Sequence, residues 1–119
     1  MKKLFNSFKY ALMGIIHTFK NESNFVIQII ICIIVILAGF FFQITSMEWI
    51  IVLLLSAFVL SLELINTAFE ILVDLTAENY HELAKKAKDV AAASVFLMSL
   101  FAAVIGFLIF YPYFLEMIK

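Results

Sequence analysis

Charge, glycine, proline and cysteine are all scarce in this chain of 119 residues. Only 14% of the residues are charged and the net charge is -1, which excludes the basic surface of a nucleic-acid-binding protein. The three glycines are isolated, so the chain lacks the phosphate-binding loops GxxxxGK(S/T) and GxGxxG, and any phosphate group would have to be held by side chains. The single cysteine, Cys32, excludes a disulfide framework.

Apolar residues are correspondingly abundant. Hydrophobic residues make up 66% of the sequence, and phenylalanine alone occurs 14 times. A soluble domain of this size could not enclose so much apolar surface, because small domains bury only about 60–70% of the surface that the unfolded chain exposes. The composition therefore predicts an integral membrane protein with a single domain, residues 1–119.

Three apolar segments are long enough to cross a bilayer as helices. They lie at about residues 25–42, 48–75 and 90–114, and each approaches or exceeds the roughly 20 residues that a transmembrane helix needs. The first is too long for the apolar region of a signal peptide, and no small-residue cleavage site follows it. We therefore expect an all-α membrane protein with three transmembrane helices.

The segment before them, residues 1–21, has the pattern of an amphipathic helix. Its apolar side chains recur at helical spacing, and its lysines fall largely between them. The apolar positions are Leu4, Phe8, Leu12, Ile15, Ile16 and Phe19. This pattern predicts a helix that lies in the membrane interface with its lysines directed toward the headgroups.

The lysines are distributed unevenly between the two sides of the predicted membrane. Seven of the eight basic residues lie in the N-terminal segment or in the connection at 76–89, and only Lys119 lies on the other side. By the positive-inside rule, the N-terminus and this connection face the cytoplasm. Within the connection, Asn79 and Glu82 have the spacing of a helix N-cap and its reciprocal acid, so we expect a helix to start there.

One predicted transmembrane helix carries four polar side chains that hydrocarbon disfavours. Glu63, Asn66, Glu70 and Asp74 are separated by three, four and four residues, so all four share one helix face. A carboxylate at the bilayer centre costs roughly 2.5–3.5 kcal/mol on insertion scales, so these residues need partners or a function. At 1.5 Å per residue the stripe runs about 16 Å toward the cytoplasmic surface.

The pattern alone leaves three interpretations open. The stripe could be an interhelical hydrogen-bond network that holds an oligomer together without any activity. Glu63 could instead be the proton site of a small proton-coupled transporter, although no inverted repeat is visible in the sequence. Finally, the carboxylates at the cytoplasmic membrane edge, with Glu22 and the lysines at 85–88, could bind a polyphosphate with Mg²⁺, which prefers one or two carboxylates plus phosphate oxygens.

Several motifs together favour the last interpretation. They comprise Glu63-x-x-Asn66-Thr67-Ala68-x-Glu70 with Asp74, then Tyr80-His81-x-Leu83, then Ala87-Lys88-Asp89-x-Ala91-Ala92, and upstream SFKYALMGI and FKNESNF. This set resembles the small bacterial integral-membrane lipid kinases, the family of prokaryotic diacylglycerol kinase and undecaprenol kinase. The resemblance covers nearly the whole chain, and the N-terminal blocks are more similar to the undecaprenol kinase branch.

The resemblance implies a fold, an activity and an assembly. Members are homotrimers of three-span subunits in the bacterial cytoplasmic membrane, each with an N-terminal surface helix and with active sites between subunits. They use ATP and Mg²⁺ to phosphorylate the hydroxyl of a membrane lipid, here undecaprenol or diacylglycerol. Such a reaction depends mainly on positioning and charge neutralisation, which the polar side chains described above could supply.

The resemblance also implies roles for individual residues. Glu63 matches the catalytic base that takes the proton from the lipid hydroxyl, and Asn66 matches a residue that orients groups at the active centre. Glu22 and Glu70 match the acids that bind the metal ion. The positions that match the nucleotide site are Tyr10, Glu22, Glu70, Asp74, His81, Lys88 and Asp89.

Overall fold

The chain folds entirely into α-helices within the residues that the structure describes. The structure is a computed structural model and describes residues 1–76, 79 and 81–119. Its four helices are α1 (Lys2–Asn21), α2 (Ser23–Phe42), α3 (Ser46–Thr76) and α4 (Glu82–Ile118). The last three are long and apolar enough to cross a membrane, which confirms the all-α prediction and the count of three spans.

Helix α1 has the character of a surface helix. It contains no acidic residue, and its large apolar side chains, such as Phe8 and Leu12, are exposed. Only Thr18 is buried, and its hydroxyl donates a hydrogen bond to the Gly14 carbonyl at 2.9 Å. Glu22 then adopts an extended backbone conformation, which ends α1 and starts α2. The polar junction residue Glu22 is therefore held between two helices.

The turn between α2 and α3 fixes the outer end of the helical hairpin. The Thr45 hydroxyl accepts from the Glu48 amide at 3.2 Å, and the Glu48 carboxylate accepts from the Thr45 amide at 2.9 Å, which is a reciprocal helix cap. The Tyr113 hydroxyl of α4 also donates to Glu48. Nearby, the Trp49 ring lies so close to Gly39 that a Cβ atom at residue 39 would stand 2.6 Å from it. All three apolar helices thus meet at this end.

The start of α4 differs in detail from the sequence prediction. Asn79 was predicted to be the N-cap, but the helix begins at Glu82 and its N-cap is His81. The His81 Nδ1 atom accepts a hydrogen bond from the Leu83 amide at 3.0 Å, which satisfies one of the free donors of the first turn. Tyr80, which belongs to one of the matching motifs, lies outside the described residues.

The interior of the bundle is unusually polar for so apolar a sequence. Thr18, Glu63, Asn66 and Thr67 are all buried, whereas most large apolar side chains of α2, α3 and α4 are exposed. A membrane protein has this distribution because lipid, rather than the protein interior, solvates its apolar side chains. The fold therefore buries the polar side chains of Glu63, Asn66 and Thr67 on the inner face of α3.

Candidate functional site

Glu63 lies at the centre of the polar cluster. Its side chain faces α2, and the residue is only 3% exposed. The Gln28 side chain, which projects from α2, donates from Nε2 to Glu63 Oε2 at 3.5 Å. The two helices thus place a carboxylate in an apolar bundle with one neutral hydrogen-bond partner. A carboxylate in such surroundings is a candidate proton acceptor.

Asn66 lies one helical turn closer to the end of α3 and links two of the acids. Its Nδ2 atom donates to Glu70 Oε1 at 3.3 Å, and the residue is 7% exposed. Its Oδ1 atom is buried and accepts no hydrogen bond from the described residues. A buried acceptor without a partner is costly, so this oxygen is available to a ligand or to a hydrogen-bond donor on one.

The junction residue Glu22 approaches the same cluster from the other side. The carboxylates of Glu22 and Glu70 both lie within electrostatic range of Glu63. Three acids that repel one another in a poorly solvated place favour the binding of a cation. The structure therefore places Glu22 and Glu70 within electrostatic range of Glu63, and Asn66 beside Glu70.

The donor set suits a hard divalent cation that brings further ligands with it. Among residues 1–76, 79 and 81–119, no group of three histidine, cysteine, aspartate or glutamate side chains could hold a metal ion by itself. Two carboxylates, such as those of Glu22 and Glu70, are nonetheless typical for Mg²⁺, which completes its coordination with water and substrate phosphate oxygens. The residues present fit such an ion.

Charged residues in the first turns of α4 lie near this acidic cluster. The Lys88 ammonium group of α4 forms an ion pair with Asp74 of α3 at 2.5 Å, and it also lies within electrostatic range of Glu70. Asp89 forms an exposed ion pair with Lys85 of the same helix, at 2.6 Å. Lys88 is therefore the cation that the fold directs toward the acids.

Two of the predicted nucleotide residues stand farther from the centre. His81 is exposed and caps α4, so its ring already has a structural role in this chain. Tyr10 is exposed on α1, and it forms no side-chain hydrogen bond with any other described residue. The single chain thus joins Asp74 and Lys88 to the acidic cluster but does not join Tyr10 to it.

Gln28 is a contact residue that the sequence analysis did not select. Its signal was present, because Gln28 is the only polar side chain in the apolar run Phe25–Phe42. A single polar residue indicates a contact within the bundle but does not identify the partner, since that depends on how α2 packs against α3. The packing makes the partner Glu63.

Comparisons with known proteins agree with this geometry. The sequence model of the prokaryotic diacylglycerol kinase family matches residues 9–110. An undecaprenol kinase of Bacillus subtilis is 40% identical over 94% of this chain and 91% of its own length. Diacylglycerol kinases of Synechocystis and Haemophilus influenzae are 41% and 40% identical over 84% and 79% of this chain, and over 58% and 80% of their own lengths.

These similarities do not favour the transporter interpretation of Glu63. They extend over the surface helix, the acidic cluster and the α3–α4 connection, so they cover every element that contributes to the candidate site. The chain belongs to the prokaryotic diacylglycerol kinase family and is a lipid kinase that uses ATP as its phosphate donor.

Proposed function

We propose that this membrane-embedded lipid kinase transfers the γ-phosphate of ATP to the hydroxyl of undecaprenol, with diacylglycerol as the alternative acceptor. The observation that carries the proposal is the buried Glu63 carboxylate, which faces α2 and lies within electrostatic range of Glu22 and Glu70. Glu70 in turn lies within electrostatic range of Lys88. The choice of undecaprenol is supported by the Bacillus subtilis relative, an undecaprenol kinase that is 40% identical over 94% of this chain.

In this reaction Glu63 acts as the general base. It accepts the proton of the lipid hydroxyl while the hydroxyl oxygen forms a bond to the γ-phosphorus of ATP. The bond from that phosphorus to the bridging oxygen of ADP breaks, and ADP leaves with the electron pair. Gln28 and Asn66 hold the surroundings of the base in place, because one donates to Glu63 and the other fixes Glu70. Positioned general bases contribute about 10²–10⁴-fold to such reactions.

Glu22 and Glu70 hold Mg²⁺ in the proposal, and Asn66 keeps Glu70 in position through its 3.3 Å hydrogen bond. When bound, Mg²⁺ would neutralise part of the phosphate charge, which the two carboxylates would otherwise repel. The unpaired Asn66 Oδ1 atom offers a further acceptor at the same place. The same two acids thus contribute both to the metal site and to the nucleotide site.

The nucleotide site in the proposal extends from the acids to the start of α4. Lys88 binds phosphate oxygens as a point charge, and Asp74, which pairs with it, holds its ammonium group near Glu70. His81 and Asp89, in the α3–α4 connection and on α4, and Tyr10, on α1, contribute outer contacts. Since the first turns of α4 and helix α1 both carry lysines, they face the cytoplasm, where ATP is present.

We further propose that the active protein is a homotrimer in the bacterial cytoplasmic membrane, with sites shared between subunits. The separation of Tyr10 from the other nucleotide residues supports sharing, because a neighbouring subunit could supply that contact. A detergent-solubilised sample should run as a trimer in analytical ultracentrifugation. Full activity of a monomer at high dilution would contradict shared sites.

The experiment that tests the function is transfer of labelled γ-phosphate in mixed micelles that contain either undecaprenol or diacylglycerol. Labelled lipid phosphate is expected from wild-type protein in the presence of Mg²⁺, with undecaprenol preferred. A higher rate with diacylglycerol would reverse the choice of acceptor. Absence of transfer to both lipids from a folded trimer would overturn the proposed activity.

A further inference from the structure

Three of the four lysines of α1 lie along one edge of the helix. Lys2, Lys9 and Lys20 are separated by seven and eleven residues, which are close to two and three full turns at 3.6 residues per turn. All three residues are exposed, and none of them forms an ion pair with an acid in the part of the chain that the structure describes. They form a lysine row about 27 Å long at 1.5 Å per residue.

The lysine row borders the exposed apolar face of α1. Phe5 and Ile16, which are 69% and 51% exposed, lie next to it around the helix. Thr18, the one buried residue of α1, is two residues from Lys20 and therefore lies on nearly the opposite side of the helix. The row thus faces away from the bundle. A lysine at the border of an apolar face can bury its stem among acyl chains while its ammonium group stays among the headgroups.

The charge on α1 has a single sign. The helix contains four lysines and no acidic residue. A lysine ammonium group is a compact point charge that suits phosphate oxygens. A zwitterionic headgroup carries a positive group beside its phosphate, whereas an anionic phospholipid does not, so the row should prefer the anionic lipid. Near an anionic membrane surface, one lysine contributes about a fivefold gain in binding, equivalent to about 1 kcal/mol.

The lysine row ends beside the junction that carries Glu22. Lys20 lies two residues before Glu22, and the Glu22 amide donates to the Thr18 carbonyl at 2.8 Å, so the backbone of α1 is tied to the junction. The Glu22 carbonyl accepts in turn from the Val26 amide of α2 at 3.4 Å. A contact that fixes the end of α1 at the membrane surface therefore also restrains the backbone of Glu22.

We infer that the lysine row of α1 binds the headgroups of anionic phospholipids in the surrounding bilayer, and that this contact holds Glu22 in place for phosphate transfer. The second part of the inference, the effect on activity, rests on the proposed lipid kinase function. The first part concerns binding alone and stands without it. Together they make the anionic lipid content of the membrane a regulator of this enzyme.

Binding is measured beside the lysine row without any turnover. Phe19→Trp combined with Trp49→Phe moves the single tryptophan of the chain to a position next to Lys20. This reporter protein is reconstituted at full length in phosphatidylcholine vesicles. Quenching of its fluorescence by brominated phosphatidylglycerol is compared with quenching by brominated phosphatidylcholine. We expect the anionic lipid to bind about fivefold more tightly than the zwitterionic one.

Two double variants of the reporter protein test whether the lysine row causes the preference. Lys9→Gln with Lys20→Gln should abolish it. Lys86→Gln with Lys119→Gln removes the same charge from exposed ion pairs outside α1, and should leave the preference intact. Equal quenching by the two lipids in the reporter protein, or the same preference in both double variants, would overturn the inference. Quenching by neither lipid would overturn it too, because a second copy of the chain would then cover this face.

Phosphate transfer to undecaprenol in the same vesicles tests the effect on activity. With saturating Mg²⁺ and ATP, phosphatidylglycerol should raise kcat severalfold in wild type and in the Lys86→Gln, Lys119→Gln variant, but not in the Lys9→Gln, Lys20→Gln variant. Both variants lose two positive charges, so attraction of Mg²⁺ to the anionic surface affects them alike. An equal rise in both would overturn the link to Glu22. If wild type transfers no phosphate in any vesicle, the proposed function fails, and the quenching result still decides the binding.

Discussion

Gln28 of α2 donates a hydrogen bond from Nε2 to Oε2 of Glu63 of α3, at 3.5 Å, inside the apolar part of the bundle. This is the one side-chain hydrogen bond that joins α2 to α3 among the described residues. It fixes the orientation of the carboxylate without neutralising it, because an amide carries no charge. The contact therefore links the packing of two transmembrane helices to the chemistry of the proposed base.

Loss of this contact should affect turnover more than binding. In Gln28→Leu, Glu63 loses its neutral donor, and a hydrogen bond to a charged group contributes about 1.5–3 kcal/mol. We expect kcat to fall about tenfold or more, with the KM for ATP unchanged. Ile27→Leu is the matched control, because Ile27 is the neighbouring residue of α2 and its side chain is exposed. A wild-type kcat in Gln28→Leu would show that the contact is only structural.

Removal of the proposed base should nearly abolish phosphate transfer. Glu63→Gln keeps the shape of the side chain but cannot accept the hydroxyl proton, so we expect kcat to fall by about 10²–10⁴-fold. Nucleotide binding, measured by calorimetry in detergent, should remain close to that of wild type. Glu48→Gln, at the opposite end of α3, is the control and should retain activity. Near-normal turnover of Glu63→Gln would exclude the base assignment.

The metal assignment predicts a change in Mg²⁺ dependence. Because Glu70 is held by Asn66, and Glu22 and Glu70 both lie within electrostatic range of Glu63, both Glu70→Ala and Glu22→Ala should raise the Mg²⁺ concentration required for half-maximal activity about tenfold or more. Glu82→Ala removes an exposed acid at the start of α4 and should leave the Mg²⁺ titration unchanged. Titrations of the two variants that coincide with wild type would contradict the assignment.

The two lysines of α4 that follow Lys85 should differ sharply in their effect on nucleotide binding. Lys88 faces Asp74 and Glu70, whereas Lys86 pairs with Glu82 at 3.5 Å on the exposed side of α4. Lys88→Ala should therefore raise the KM for ATP about tenfold or more, and Lys86→Ala should change it less than twofold, because exposed ion pairs contribute only about 0–1 kcal/mol. Equal effects of the two substitutions would indicate that the lysines of α4 contribute to ATP binding only through their general positive charge.

Helices are predictable from this sequence, whereas their contacts are not. Long apolar runs identify α2, α3 and α4, since few alternatives satisfy the backbone in a bilayer. Helix α4 begins at Glu82 with His81 as its N-cap, and hydrophobic periodicity cannot decide between His81 and Asn79 as the cap. The alignment of Glu63, Asn66 and Glu70 follows from helical spacing. That Gln28 reaches Glu63 follows only from the packing of α2 on α3.

Two glycines of the transmembrane helices should respond oppositely to the same substitution. A Cβ atom at residue 39 would stand 2.6 Å from Trp49, while one at residue 106 would meet nothing within 4 Å. Gly39→Ala must displace the Trp49 ring from the α2–α3 end, and such overpacking typically costs about 1–3 kcal/mol. Gly106→Ala removes backbone freedom without a clash, and alanine favours a helix by about 0.5–1 kcal/mol over glycine.

Reversible unfolding in mixed micelles, followed by circular dichroism, measures the two free energies of unfolding. We expect Gly39→Ala to be less stable than wild type and Gly106→Ala to be equal to it or more stable. The Trp49 fluorescence spectrum should shift only in Gly39→Ala. Trp49 is the single tryptophan, and of the two glycines only Gly39 lies against its ring. A stable Gly39→Ala protein with unchanged fluorescence would mean that Trp49 does not pack on α2, and the outer end of the hairpin would then need a different arrangement.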